Sequence, residues 1–237
     1  MSGVKNKVVS QEEWLNARVE HLKQEKEFTR QRDALSKSRR DLPWVKIDKD
    51  YQFQTSEGEK SLSDLFGTRS QLIVQHFMFA PDWEEGCTSC SFWADGYDGF
   101  QVHLANRDAT MVSVSNAPLD KLHAYRDRMG WSFDWVSSFG GDFNHDFNVS
   151  FTAEQIEQET GTYNYSPSRF PMSEAPGISI FYKNDQGEVF HTYSCFSRGL
   201  DMLNAAYHYM DLLPKGRYEN ELAHSMAWLK RHDQYED

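Results

Sequence analysis

The chain has 237 residues and a formal net charge of −11, with 36 acidic against 25 basic side chains. That balance speaks against nonspecific binding to nucleic acid or to an anionic membrane, and no run approaches the ~18 apolar residues of a membrane span. Three cysteines, an odd count, do not make a secreted disulfide framework; with no apolar stretch behind Met1, no signal peptide and a cytoplasmic setting are expected.

Charge is unevenly spread. Residues 1–50 carry 12 Lys/Arg against 9 Asp/Glu, leaving 13 against 27 for the remainder. Ser10 followed by Glu13 is a capping-box pattern, and the helix it opens is expected to run to about Arg40, stopped by Asp41-Leu42-Pro43. Its apolar stripe (Trp14, Leu15, Val19, Leu22, Phe28) is too thin for a long coiled coil. Residues 1–43 are therefore read as a helical extension and 44–237 as the main domain. A stripe that cannot form its own core leads to the expectation of a homodimer.

From Trp44 the period changes to two: Val45-Lys46-Ile47 and Tyr51-Gln52-Phe53 read as half-buried strands. Residues 56–59 are a hairpin turn, and 61–67 a helical turn closed by Gly67. The run 71–79 has the length and the aromatic and β-branched content of a buried strand. After the loop Ala80-Pro81-Asp82-Trp83-Glu84-Glu85-Gly86, a helix is expected over about 88–106. Then come a buried strand at 109–115, a helix from Leu119 to Met129 capped by Gly130, and a short strand near 133–138. Residues 139–148 form a Gly- and aromatic-rich loop that could cover a site, and 152–175 a polar insertion. A third strand at 176–182 turns through 184–187 into a hairpin partner, followed by helices at 201–213 and around Ala223 to Leu229. Strand–helix alternation followed by a hairpin predicts a central sheet flanked by helices, with 71–79 and 109–115 as parallel neighbours.

The chain is organised around Cys87-Thr88-Ser89-Cys90, a C-x-x-C placed after a strand and a polar loop, at the first turn of a helix. Only a thiolate attacks a disulfide, and a free thiol near pKa ~8.5 is mostly protonated at neutral pH. The first turn of a helix offers unpaired N–H groups that favour an anion, and a thiol one turn on can resolve a mixed disulfide. Cys87, the more exposed, would be the nucleophile, and Cys90 the resolving thiol. An inert pair of core residues and half of a zinc site are the competing readings. Zinc would need two more ligands, and the remaining cysteine, Cys195, has no partner at C-x-x-C spacing. The dithiol is favoured, with no metal and no cofactor.

The order of elements resembles the thioredoxin fold: an α/β fold with a central mixed β-sheet flanked by helices, here with an N-terminal helical extension and an insertion before a cis-proline strand. More closely, residues 10–235 resemble an uncharacterised family of thioredoxin-like proteins, long labelled a domain of unknown function and described as predicted dithiol–disulfide oxidoreductases. The stretches that carry the likeness include Asp82-Trp83-Glu84-Glu85-Gly86-Cys87, Cys90-Ser91-Phe92-Trp93-Ala94-Asp95, Arg128-Met129-Gly130-Trp131 and Val189-Phe190-His191-Thr192-Tyr193-Ser194. The resemblance implies a thiol–disulfide oxidoreductase acting on a disulfide-containing protein or small molecule, with an unidentified electron donor. Departures leave alternatives open. Gly86 stands where thioredoxins have Trp, and Glu84 where peroxiredoxins need Thr or Ser. A non-catalytic scaffold of the same fold is the second reading, and a peroxidase-like or zinc-binding protein follows it.

Near the pair, Trp83 and Trp93 could form an apolar platform for substrate. Glu84, Glu85 and His76 are candidates for a proton relay, although the acids around Cys87 also oppose its ionisation. The resemblance further implies that the Ala175–Pro176 bond is cis, presenting the backbone of Ala175 to an extended substrate beside Cys87.

Overall fold

The computed structural model describes residues 6–167 and 170–236. Ser10 caps α1 (Gln11–Arg40): its Oγ accepts the Glu13 N–H at 3.2 Å, and the Glu13 carboxylate accepts the Ser10 N–H at 3.0 Å. Acids in the first turn and Lys37, Arg39 and Arg40 in the last complement the helix dipole. No residue of α1 is buried, and Trp14, Leu15, Val19 and Phe28 are all at least half exposed. The helix ends where Pro43 forbids its continuation, and Arg39 lies over the Tyr193 ring at 4.8 Å.

Four strands follow: β1 (Val45–Lys46), β2 (Gln52–Thr55), β3 (Gly58–Ser61) and β4 (Gln71–His76). Next come α2 (Thr88–Ala94), α3 (Gln101–Asn106), β5 (Ala109–Ser115), α4 (Leu119–Arg128), β6 (Trp135–Ser137) and α5 (Phe143–Asp146). The chain then runs through α6 (Ala153–Glu157), the small ladder of β7 (Thr162–Tyr163) and β8 (Ser166–Pro167), β9 (Gly177–Lys183), β10 (Val189–Phe196) and α7 (Ala205–Met210).

Eight strands form one sheet in the order β1-β10-β9-β4-β5-β6-β2-β3. β4, β5 and β6 are parallel, with Val74 opposite Val112, while β9 runs antiparallel along the other side of β4. A central strand leading to the cysteine helix, a parallel neighbour on one side and an antiparallel hairpin on the other make this an α/β thioredoxin-like fold with a mixed sheet. Alternation along β4 explains the core. Leu72 and Val74 join Phe53, Phe143 and Phe181 on one face, whereas Ile73 and Phe77 meet the aromatic cluster of Tyr125, Trp131 and Trp135 on the other. α2 docks on that second face through Cys90 and Ala94.

Three expectations are corrected. The helix over 88–106 breaks after Ala94. Asp95 accepts the Trp131 indole N–H at 2.9 Å, Asp98 accepts from Ser132, and Gly99 takes φ +92°, so the segment is drawn toward the 131–132 turn before α3 begins. The helix at 201–213 divides into a 3-10 turn, Ser197–Leu203, and α7, and no helix forms over 223–229. There the Glu219 carboxylate accepts from Tyr207 Oη, Met226 N and Trp228 Nε1 at 2.7–3.0 Å, and Met226 takes φ +67°. A carboxylate with three donors winds this stretch around itself.

The third correction is the proline. No peptide bond among the described residues is cis, so Ala175–Pro176 is trans. The preceding insertion returns as an extended strand: Phe151 N–H donates to Ser173 O and Ala175 N–H to Val149 O, both at 2.8 Å, around an antiparallel bridge between Ser150 and Glu174. A chain arriving extended meets a proline in the conformation that a trans X–Pro unit favours, and no tight turn is required.

Candidate active site

Cys87 and Cys90 are brought together by the backbone that follows β4. The Cys87 N–H donates to Met78 O at 3.0 Å, and the Met78 N–H donates to Cys90 Sγ at 3.4 Å. Cys87 is the N-cap of α2, its Sγ accepting the Cys90 N–H at 3.5 Å. Cys87 is half-buried and Cys90 buried, the order of exposure expected from their positions.

Their ionisation is split. The Cys87 thiol is drawn down to about 7, chiefly by the Cys90 thiol beside it, then by the N–H groups of Cys90 and Ser89 and the charge of Arg231, all against the cost of burial. Cys90 is pushed well above its ordinary value by burial and by its neighbour Cys87. Cys87 is therefore the more readily ionised of the two near neutral pH, while Cys90 keeps its proton.

Arg231 was not found by spacing, because it reaches the site from the far end of the chain. It donates to Gly86 O at 2.8 Å and to Tyr125 Oη at 2.7 Å, and pairs with Glu85 at 2.7 Å. Glu85 also pairs with Arg128, so its charge opposes the thiolate far less than a free carboxylate would. Glu85 is thus held between two guanidinium groups, and Glu84 is exposed on the approach loop.

His76 lies in the interior at 1% exposure, its Nε2 2.7 Å from Ser179 Oγ and its Nδ1 without a hydrogen-bond partner. Burial lowers its pKa to about 3, so it is neutral at physiological pH and a weak proton acceptor. Ser179 passes the chain on through Ser194 to His191 at 2.7–2.8 Å.

A cavity of about 340 Å³ opens beside the pair, bounded by Met78, Cys87, Cys90, Trp93, Pro176 and Leu200 among others. Pro176 is therefore on the cavity wall, in its trans form. Ala175 is buried behind it with its N–H engaged, and Trp83 packs against the aromatic cluster instead of lining the cavity. Trp93 does line it, fixed by its indole N–H donating to Leu200 O at 2.9 Å. Residues 139–148 do not cover the site: Phe143 and Phe147 are pinned in the core on the other face of the sheet. Cys195 packs with Ile178 and Leu200, and burial raises its pKa. Among the described residues no group of three or more His, Cys, Asp or Glu is placed to hold a metal. No helix among them is long and apolar enough to cross a membrane.

Two further features escaped sequence reasoning. Glu174 is 2% exposed, and burial lifts its pKa to about 7, against hydrogen bonds donated by Ser150 Oγ at 2.6 Å, Asn116 Nδ2 at 3.1 Å and Asn144 Nδ2 at 3.5 Å. Gly86 is the other. A Cβ there would sit 2.8 Å from Phe77 Cε1 and 2.9 Å from Tyr125 Cε1. The Gly86→Ala variant is expected to lose about 1–3 kcal/mol in urea denaturation, because two buried rings must move. Its Cys87 is expected to be alkylated more slowly, because the loop that fixes it shifts.

Comparison with known proteins gives a family match: residues 3–235 fit the family described as "Bacterial protein of unknown function (DUF899)". No curated protein matches the chain. Among solved structures, similarity extends to the peroxidoxin BcpB from Mycobacterium tuberculosis, at 15% identity and a TM-score of 0.45, over 66% of this chain and 86% of that one. It extends also to a bacterioferritin comigratory protein from Xanthomonas campestris, at 12% identity and a TM-score of 0.46, over 71% and 94% of the two chains. A Chlorobium tepidum chain described as a thiol:disulfide interchange protein, DsbE, matches at 13% identity and a TM-score of 0.39, over 70% and 97%.

Proposed function

The chain belongs to the DUF899 family of bacterial proteins of unknown function, and from that premise we propose that it is a thiol–disulfide oxidoreductase working through Cys87 and Cys90. The Cys87 thiolate attacks one sulfur of a disulfide, forming a mixed disulfide and expelling a thiolate. Cys90 then gives up its proton and attacks Cys87 Sγ, releasing the second thiolate and leaving a Cys87–Cys90 disulfide. A dithiol donor restores the reduced pair.

The observation that carries this reading is the division of labour between the two thiols. Both face the cavity, but Cys87 is half-buried at the N-cap of α2 and lowered to about 7, while Cys90 is buried one turn on and keeps its proton. A cavity that reaches both sulfurs, with the more exposed one at a helix N-cap, is what an exchange reaction needs and an inert core pair does not.

Alkylation by iodoacetamide across a pH series, with each cysteine followed by peptide mass, tests the roles. Cys87 is expected to react with a midpoint near pH 7, its rate rising as pH rises through that value because only the thiolate reacts. Cys90 is expected to lag throughout. Arg231→Met moves the Cys87 midpoint upward and slows alkylation at pH 7 by roughly two- to fivefold, since a cation is lost and Glu85 loses one partner. Arg231→Lys is expected to recover much of the rate. Equal, slow labelling of both thiols near pH 9 in the parent protein would remove the assignment.

A further inference from the structure

We infer that the cavity beside Cys87 selects small apolar disulfides, aryl or alkyl, over peptide disulfides and glutathione disulfide, an inference that rests on the thiol–disulfide reading above. Three observations converge on it. The walls are apolar, with Met78, Trp93, Tyr97, Phe170, Ile178 and Leu200 facing about 340 Å³ of space, the small end of the range for ligand sites. The charged residues on the cavity wall, Arg198 and Asp201, pair with each other at 2.8 Å, and Asp201 also pairs with Arg217. Among the described residues no uncompensated cation on that wall meets the carboxylates of glutathione, and burying them unpaired is costly.

The third observation concerns backbone. An extended peptide held beside a reactive thiol takes much of its affinity from main-chain hydrogen bonds. Pro176 on this wall has no N–H and its carbonyl accepts the Tyr163 hydroxyl at 2.8 Å, while the N–H of Ala175 behind it is bonded to Val149 O. A peptide finds few open partners there, whereas a compact apolar disulfide needs none. The step balances without further reagents: Cys87 thiolate and R–S–S–R give Cys87–S–S–R and RS⁻. Cys90 thiol then gives the Cys87–Cys90 disulfide and a second RS⁻, its proton passing to a departing thiolate.

The test uses the reduced full-length protein in single turnovers with diphenyl disulfide, glutathione disulfide and insulin, each rate divided by that of dithiothreitol with the same disulfide. A second arm follows binding of 1,2-diphenylethane, the carbon isostere of diphenyl disulfide, through the fluorescence change expected from Trp93. The expected result is a normalised rate for diphenyl disulfide at least about 30-fold above the other two, together with saturable binding of the isostere. Met172→Trp, which adds bulk at an exposed position on the cavity wall, is expected to weaken both by roughly tenfold. Equal normalised rates, or reduction of diphenyl disulfide without binding of the isostere, would overturn the inference and leave the oxidoreductase reading standing. Binding of the isostere with no disulfide reduced would instead bring down the oxidoreductase reading, and the inference with it.

Discussion

Replacing Cys87 by Ser is expected to lower disulfide reduction by at least about a thousandfold, because a hydroxyl supplies no thiolate and forms no disulfide. Cys90→Ser is expected to fail differently. Its Cys87 can still attack, so the first half of the reaction proceeds and the mixed disulfide accumulates. Mass spectrometry of the intact chain would show a stoichiometric adduct on Cys90→Ser and none on Cys87→Ser. The asymmetry follows from burial. Cys90 is buried under the Met78 N–H with its proton held, whereas Cys87 is half-buried at the N-cap of α2 and feels the charge of Arg231. Stable adducts in both variants would mean that the two thiols are interchangeable.

The largest loss of stability is expected at Trp135→Ala. Trp135 is 2% exposed on β6, with its ring 4.5 Å from that of Phe77 and within about 6 Å of Tyr125, Trp131 and Phe133. Its indole N–H donates to Ser115 Oγ at 3.0 Å, and that hydroxyl donates to Phe77 O at 2.6 Å. Truncation therefore opens a cavity in the cluster that carries the cysteine loop and removes a buried donor as well. The cost is about 3–5 kcal/mol, which in a chain of this size corresponds to a fall of roughly 10 °C in melting temperature. Because Phe77 immediately precedes the segment that clasps both cysteines, alkylation of Cys87 should lose its selectivity over Cys90 before global unfolding. A melting temperature within about 2 °C of the parent would show that the aromatic cluster is not the support it is taken to be.

Local signals in the sequence were read correctly wherever local physics decides the outcome. Ser10 and Glu13 satisfy one another's backbone donors, so the start of α1 follows from four residues. Strand β5 occupies 109–115 as its apolar run implied, and Gly130 closes α4 at φ +67°. The parallel pairing of β4 with β5 follows from right-handed crossover logic.

What failed was decided by distant partners. Asp95 and Asp98 look like ordinary helical acids until Trp131 and Ser132 are placed against them. Ala223 to Leu229 has helical spacing, but Glu219 winds the chain through three donors instead. The resemblance suggested a cis bond at Pro176, and the strand pairing of 149–151 with 173–175 supplies a trans, extended approach. At the site, the cysteines were legible from their own spacing and context. Arg231 was not, because 145 positions separate it from Gly86.

The central claim is that Cys87 and Cys90 form one reversible two-electron couple. Equilibrating the protein across a series of reduced and oxidised dithiothreitol ratios, then trapping free thiols and mapping the peptides, tests it most directly. The account predicts a single transition in which both thiols disappear together into a Cys87–Cys90 disulfide, return on reduction, and leave Cys195 free throughout. Failure of that disulfide to form at any ratio, or its appearance only with Cys195 as a partner, would contradict it.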